Sequence, residues 1–552
     1  MAHGKSFRPS DFQAPLPMDK LIVKNPTLSD EAVPLDVVFV GAGPAGLCGA
    51  IELARLVKAD NESGGGLGEI EIGVLEKAES LGGHTLSGAV MNPKVLQDLF
   101  PEKPLNELPL RGAVQGDNVF MLTETGKVPL PTPPTMNNHG NQVASLCEVV
   151  RWLGQEAENL GVNMFTSFPA DSLLMQGGQV VGVRTTAAGL NREGKETDQY
   201  MPPTDIAAQI TVLTEGTRGP LTQAYLAEQK ITSPAPQIFA LGVKEVWRTK
   251  KVPKNVTHTL GWPLPKSAFG GSWMYPMGED LVSIGLVVGL DYKEHNLDVH
   301  QMLQSLKKHP LFSEYLEGGE LVEWGAKTIP EGGLNAFPEK LHGDGLIMAG
   351  DCVGMVNVPA LKGIHYAMHS GVLAARAAFK ALKASDTSGK TLSSYDKSVK
   401  DSFIWKDLHK VRNMRHAFKS GFYLGGLKAA LMTATGGAFP GGGHDHLSDG
   451  DEKKIFSTNP DEKNIGLSKV DAVYQSGNKT RDDIPQHLIV GKDISPELAD
   501  FYSHMCPAGV YERKGDQLVV NAPNCVDCKA TDVLGPRWLP REGGSGPSYT
   551  LM

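Results

Sequence analysis

The sequence predicts an α/β (α+β) chain in which a parallel-sheet domain carries an inserted antiparallel sheet and ends in a small cysteine-bearing module. Three observations predict it. A β-branched run, Val37 to Val40, turns through Gly41, Gly43 and Gly46 into a helical stretch reaching Ala50. Short β-rich runs separated by Gly and Pro turns fill Gln237 to Pro330. Three of the six cysteines, Cys506, Cys525 and Cys528, crowd near the C-terminal end.

The first element is strand–turn–helix, Asp36 to Ala50. The apolar run reads as a strand buried on both faces. Gly41 permits the tight turn, Gly43 lets a pyrophosphate approach the backbone, and Gly46 lets helix pack on strand. Pro44 and Ala45 open the helix, whose free N–H groups and positive dipole end suit phosphates. A second strand, Glu69 to Leu75, ends in Glu76 and Lys77, where a carboxylate accepts hydrogen bonds from an adenosine ribose. The polar segment Asn61 to Gly68 lengthens the connection as a surface insertion. The pattern favours bound FAD over exchanging NADPH, without this first turn settling it.

Next comes Leu81 to Ala89, where Gly82 and Gly83 allow close approach to a ligand. His84 and Thr85 can bond a ribityl chain or phosphate; an ordinary polar loop is the alternative. Met136 to Gly140 is a second polar turn, with His139 a hydrogen-bonded loop residue. Val149 to Leu160 reads as a helix. Ile210 to Leu213 meets another glycine turn, Thr214 to Gly219. Gly345 to Ala349 runs into Gly350 and Asp351, and a helix follows from Gly363 to Lys380. Asp351 can bind a ribityl hydroxyl, and the helix start at Gly363 can stabilise reduced flavin. Three strand–glycine–helix elements suit one extended FAD.

Between them the β-rich stretch reads as an antiparallel substrate sheet. There Gly270 and Gly271 either turn a hairpin or offer backbone groups to a flat substrate. Residues 411 to 440 carry Arg412, Arg415, His416 and Lys419, then Phe422, Tyr423, Leu424, Leu427, Leu431, Met432 and Phe439. That suits a bilayer interface; a buried helix is the alternative. Val119 to Leu122 with Val128 to Leu130 is a second such patch, for which a buried strand is the alternative. Gly441 to Ser468 reads as a linker, with His444 and His446 in an exposed loop.

Bulk properties narrow the function. The chain has 552 residues and a net charge of −9, which gives no reason to invoke nucleic acid. Six cysteines in such a chain are no disulfide scaffold and fit a reducing compartment. Met1 to Lys20 has neither signal-peptide nor transit-peptide character, and no apolar run reaches the roughly 18 residues of a spanning helix. Any membrane contact is therefore expected to be peripheral.

The tail motifs, Cys506-Pro507-Ala508-Gly509 and Asn524-Cys525-Val526-Asp527-Cys528, suit iron–sulfur ligand loops. Zinc on three cysteines and a carboxylate, or a module without metal, are the alternatives. With these motifs go G-A-G-P-A-G-L (Gly41 to Leu47), H-T-L-S-G-A (His84 to Ala89), the N-N-H-G-N run within Met136 to Asn141 and G-W-P-L (Gly261 to Leu264). F-G-G-S (Phe269 to Ser272), V-V-G-L-D-Y (Val287 to Tyr292) and N-V-P-x-x-K-G (Asn357 to Gly363) follow in order. Taken together they closely resemble the electron transfer flavoprotein:ubiquinone oxidoreductase family over nearly the whole chain.

The resemblance implies FAD, a [4Fe-4S] cluster, a peripheral membrane surface, and electron passage from reduced electron transfer flavoprotein to ubiquinone. It implies that Gly270 and Gly271 contact the quinone, and that Cys506, Cys525 and Cys528 hold the cluster. The segments near 119–132 and 419–440 match its membrane-contacting parts. Thr531 stands where the family has a fourth cysteine; Asp532, a hydroxyl or a three-iron cluster are the ways this departure resolves. The expected division is a FAD-binding domain over 31–236 and 336–400, a quinone-binding β-rich domain over 237–335, a membrane-associating segment over 401–440, a linker over 441–480, and a ferredoxin-like iron–sulfur domain over 481–552. The rival readings are a FAD-dependent reductase or monooxygenase of a lipid-like substrate with a structural tail, and a membrane scaffold that keeps FAD for stability.

Overall fold

The computed structural model describes residues 6–28, 31–88, 90–418, 422–439, 447–456 and 465–552. Lys419, His444, His446 and Ala89, singled out above, lie outside them, as do the side chains of His416, Phe422 and Tyr423.

The first sheet is mixed. Its described strands run in the order Asn163–Thr166, Ile72–Glu76, Val33–Val40, Asp205–Leu213, Gln179–Thr185, Ala170–Gln176 and Ile22–Lys24, with Leu346–Met348 also pairing Asp205–Leu213. Val33–Val40 is parallel to both Ile72–Glu76 and Asp205–Leu213. Parallel pairing needs crossovers, and the helix Pro44–Glu62 supplies the first. Val37, Val38 and Phe39 are buried, as a strand covered on both faces requires. Pro44–Glu62 buries Leu47, Ile51 and Leu53 in the same core, each contributing about 1.5–3 kcal/mol. It packs along the helix Ile364–Lys383. The amphipathic helix expected near residue 149 spans Leu146–Glu158, capped by the Ser145 side chain accepting from the Glu148 amide.

The second sheet runs Glu320–Pro330, Phe239–Arg248, Leu281–Gly289, Gly270–Pro276, Val256–Gly261, Asp117–Leu122 and Lys127–Leu130. Its last two strands come from far earlier in the chain. Asp117–Leu122 pairs in parallel with Val256–Gly261, an association that local patterning does not announce. Gly270 and Gly271 do not turn a hairpin: they begin a strand and pair with Val288 and Val287.

The other face of this sheet shares one hydrophobic core with the C-terminal module: Leu241, Ile284 and Trp324 pack in the same cluster as Phe501, Cys506 and Trp538. The stretch read as linker contains the helix Lys469–Gln475, packed on Glu320–Pro330. Beside the second sheet, short helices Met414–Ala417 and Phe422–Ala434 form a hairpin. Among the described residues no helix is long and apolar enough to cross a membrane.

Candidate functional site

A cavity of about 1820 Å³ is walled by residues of both sheets. One part of its wall is the first glycine turn: Gly41, Gly43, Pro44 and Ala45. Gly41 has φ +109°, and a Cβ there would sit 2.5 Å from the Thr214 carbonyl oxygen. At Gly43 a Cβ would meet nothing within 4 Å, so the space in front of the helix start is open. Gly43 caps Pro44–Glu62 without a side-chain hydrogen bond, leaving first-turn N–H groups for a ligand. Gly46 is not in the wall; it packs behind Gly41.

Glu76 and Lys77 line the cavity at the end of the second strand. The Glu76 carboxylate accepts from the Ala42 amide at 3.1 Å and the Ala78 amide at 2.8 Å, so its oxygens are held at the turn. Thr85, Asp351 and Gly363 also line the wall, whereas Gly350 sits behind it and donates its amide to Ser370 Oγ. Asp351 Oδ1 is buried without a hydrogen-bond partner, and burial pushes its carboxyl up to about 6. An orphaned acceptor of this kind fits a ligand hydroxyl. Gly363 caps Ile364–Lys383, again without a side-chain cap, aiming a positive helix end into the cavity. These features together fit an extended FAD.

His84 is buried, with both ring nitrogens lacking hydrogen bonds and Nδ1 3.5 Å from Asp527 Oδ2. Burial, then the Lys77 charge, holds its pKa well below the ordinary imidazole value, so the ring is neutral.

Gly270 and Gly271 line the wall near a polar group that the sequence alone did not nominate. His258 Nε2 hydrogen-bonds the Tyr275 hydroxyl, while His258 Nδ1 has no partner. Both residues, and Lys362, line the cavity. Burial, then Lys362, pushes His258 down to about 3. Burial pushes the Lys362 ammonium down to about 8, opposed by Asp117. The only local signal was Lys362's place inside the N-V-P-x-x-K-G run. Further along, the wall is small: Gly426, Ala429, Ala430 and Thr433 of Phe422–Ala434. On that helix Leu424, Leu427 and Leu431 are 50, 59 and 42% exposed.

The tail cysteines lie outside the cavity wall. Cys506 follows the helix Pro496–Met505, and Cys525 and Cys528 flank Asp527 just before Ala530–Leu534. All three are buried free thiols, and burial pushes each one up, Cys525 to about 12. Their sulfurs do not all lie within 4.8 Å of one another, although each feels at least one of the others. Thiolates on one zinc would be about 3.8 Å apart. The wider set fits a multi-iron cluster better. Asp532 is not free to join it: Oδ1 accepts from the Trp538 amide and Oδ2 from Arg218 Nε at 2.8 Å.

The Cys528 loop and the cavity meet directly. The Thr328 amide donates to the Cys528 carbonyl at 3.0 Å, and Thr328 lines the cavity. Lys529, the next residue, is itself in the wall, with its ammonium 4.4 Å from the Trp538 ring centroid. Between Cys525 and Cys528, Asp527 accepts from Lys77 at 2.5 Å, Arg541 at 2.9 Å and Trp538 Nε1 at 3.0 Å. Burial alone would raise its pKa; Arg541 and Lys77 outweigh that and hold it ionised.

Comparison with known proteins agrees with this arrangement. The family model of the ubiquinone-binding domain of ETF-QO matches residues 239–329. That of the 4Fe-4S domain of electron transfer flavoprotein-ubiquinone oxidoreductase matches residues 463–550. The mitochondrial electron transfer flavoprotein-ubiquinone oxidoreductase of Oryza sativa subsp. japonica is 37% identical, over 95% of this chain and 94% of that protein. The Mus musculus protein of the same name is 36% identical, over 94% and 89%. Among solved structures, a geranylgeranyl bacteriochlorophyll reductase-like protein from Thermoplasma acidophilum superposes with a TM-score of 0.56 at 17% identity, covering 73% of this chain and 90% of that one. The flavin-dependent brominase Bmp2 gives 0.51 at 16%, over 74% and 94%. These two share the flavoenzyme fold. By sequence over nearly its full length, the chain belongs to the electron transfer flavoprotein-ubiquinone oxidoreductase family.

Proposed function

We propose that the chain takes electrons from reduced electron transfer flavoprotein and delivers them to ubiquinone, using FAD in the cavity and an iron–sulfur cluster on Cys506, Cys525 and Cys528. The observation that carries this reading is the contact between centres: Lys529, adjacent in sequence to Cys528, forms part of the wall that also contains the flavin-binding turn and the Gly270–Gly271 strand. Bound flavin supplies the ability to hold one or two electrons, matching single-electron arrivals to two-electron quinone reduction.

The chain's residues have separate tasks. Gly43, the start of Pro44–Glu62 and Glu76 hold the pyrophosphate and ribose. Asp351 accepts from the ribityl chain, and the Gly363 helix start stabilises negative charge on the reduced ring. Gly270 and Gly271 bind the quinone head, with Lys362 as proton donor to a quinone oxygen and the His258–Tyr275 pair keeping that corner polar. Lys362 qualifies because burial brings its pKa close to the working pH.

Attachment is peripheral. The exposed Leu424, Leu427 and Leu431 and the exposed Val128 on the neighbouring hairpin form the membrane-facing surface. The small residues on the helix's cavity side let an apolar quinone pass from lipid to Gly270. The relatives are mitochondrial proteins by name; the inner membrane, or the cytoplasmic face of its bacterial counterpart, is the matching location.

The test is steady-state reduction of a short-chain ubiquinone by enzymatically reduced electron transfer flavoprotein. Turnover with bleaching of bound flavin supports the reading. Flavin reduced by the donor without quinone reduction would move it to the reductase or monooxygenase alternative.

A further inference from the structure

The segment matching the 4Fe-4S domain contains three cysteines, Cys506, Cys525 and Cys528. A four-iron cluster takes four protein ligands, ordinarily four cysteine thiolates. The chain's other cysteines cannot complete the set from within the module. Cys48 and Cys147 lie in the helices Pro44–Glu62 and Leu146–Glu158, and Cys352 in the turn after Leu346–Met348.

Spacing after Cys525 and Cys528 puts the next corner at residue 531, which is Thr531, buried. Both nearby carboxylates are committed elsewhere, Asp532 to Arg218 and Trp538, Asp527 to Lys77 and Arg541. What remains at that corner is a pair of hydroxyls. Tyr511 Oη is buried without a well-formed hydrogen bond, and its neighbours are Thr531 and all three thiols. His487 also has two unpartnered ring nitrogens and lies near Cys525 and Asp527. Its charged neighbours, however, are Arg541, Asp527, Lys77 and Lys20, around the Asp527 carboxylate rather than residue 531.

We propose that one iron of the cluster is held outside the cysteine set, by oxygen at the Tyr511–Thr531 corner, and is therefore exchangeable; this rests on the three-cysteine ligand set proposed above. Ferricyanide takes one electron from the oxidised-resting four-iron cluster, the corner iron leaves as Fe²⁺, and a three-iron, all-ferric core stays on Cys506, Cys525 and Cys528. Adding Fe²⁺ and one electron from dithionite restores the original cluster.

The experiment uses anaerobically prepared full-length protein and the variants Thr531→Cys, Tyr511→Phe and His487→Ala. Each is titrated with ferricyanide, desalted, and read by iron content, low-temperature EPR and Mössbauer spectra after adding ⁵⁷Fe²⁺. The expected result is loss of one iron in four with a three-iron EPR signal, and return of ⁵⁷Fe to a single site. Thr531→Cys slows that loss by about 10–100-fold, and Tyr511→Phe hastens it. Equal retention of four irons by the natural chain and Thr531→Cys overturns the proposal while leaving the ligand set standing. So does nitrogen coupling at the cluster that vanishes in His487→Ala; iron present only in Thr531→Cys overturns the three-cysteine ligand set as well. No iron in either protein overturns the ligand set itself.

Discussion

The Lys77 ammonium lies 2.5 Å from the Asp527 carboxylate, joining the end of the strand Ile72–Glu76 to the loop between Cys525 and Cys528 across 450 residues of sequence. Asp527 is 1% exposed in its side chain, and Arg541 and Trp538 share it. It is thus a fixed negative charge between the proposed flavin and cluster sites.

Removing that charge has two separable effects. Asp527→Ala strands buried cations and is expected to cost about 3–5 kcal/mol, read by denaturant unfolding followed by circular dichroism. Asp527→Asn keeps the shape and the acceptor, costs less, and raises the cluster's midpoint potential because the added electron meets less repulsion. Redox titration by EPR reads it; an unchanged or lowered potential contradicts the assignment.

The open space before Gly43 gives a clean steric test. Gly43 has ordinary extended backbone angles, and a methyl group on its Cα would have no neighbour within 4 Å, so Gly43→Val folds without clash. The valine then occupies room needed by a pyrophosphate. Native-like circular dichroism with flavin absorbance lost is the expected pair of results. Full flavin content would place the phosphates elsewhere.

Lys362 sets a pH limb. With its pKa lowered to about 8, the ammonium is present at neutral pH and is lost above it. Quinone reduction should fall about tenfold per unit well above pH 8, and Lys362→Met should be slow throughout and lack that limb. For folding the sign is opposite: the depressed pKa means the native state binds fewer protons than the unfolded chain between about 8 and the ordinary lysine value, so stability rises with pH there. A drop in activity above pH 8 therefore cannot be ascribed to unfolding through Lys362.

Replacing Leu424, Leu427 and Leu431 by Ser should weaken binding to phospholipid vesicles. Each is about half exposed, and giving up about 1 kcal/mol apiece predicts roughly a hundredfold lower partitioning. Turnover with a water-soluble quinone should hold. Unaltered flotation with vesicles would assign the leucines to some other contact.

Local chemistry made parts of this molecule legible in its sequence. Strand, glycine turn and helix around Gly43 are set by neighbours within a few residues, and Cys525 and Cys528 announce themselves by spacing. Pairing at long range left no such trace. Asp117–Leu122 looked like an apolar patch because its parallel partner, Val256–Gly261, lies more than a hundred residues on. Lys362, His258 and Tyr275 are unremarkable singly and acquire a role only where the folded cavity gathers them. Asp532 failed as a ligand for the same reason: Arg218, which occupies it, belongs to a distant turn.

The core shared by the second sheet and the C-terminal module has a kinetic consequence. Trp324 and Leu241 pack with Phe501 and Cys506, so the path between centres is built once, during folding, and no domain has to swing for each electron. Internal transfer should then be indifferent to solvent viscosity, while the encounters with protein donor and lipid-borne acceptor slow as the medium thickens. Heat that opens this shared core should therefore release iron and loosen the Gly270–Gly271 side of the cavity wall in one step.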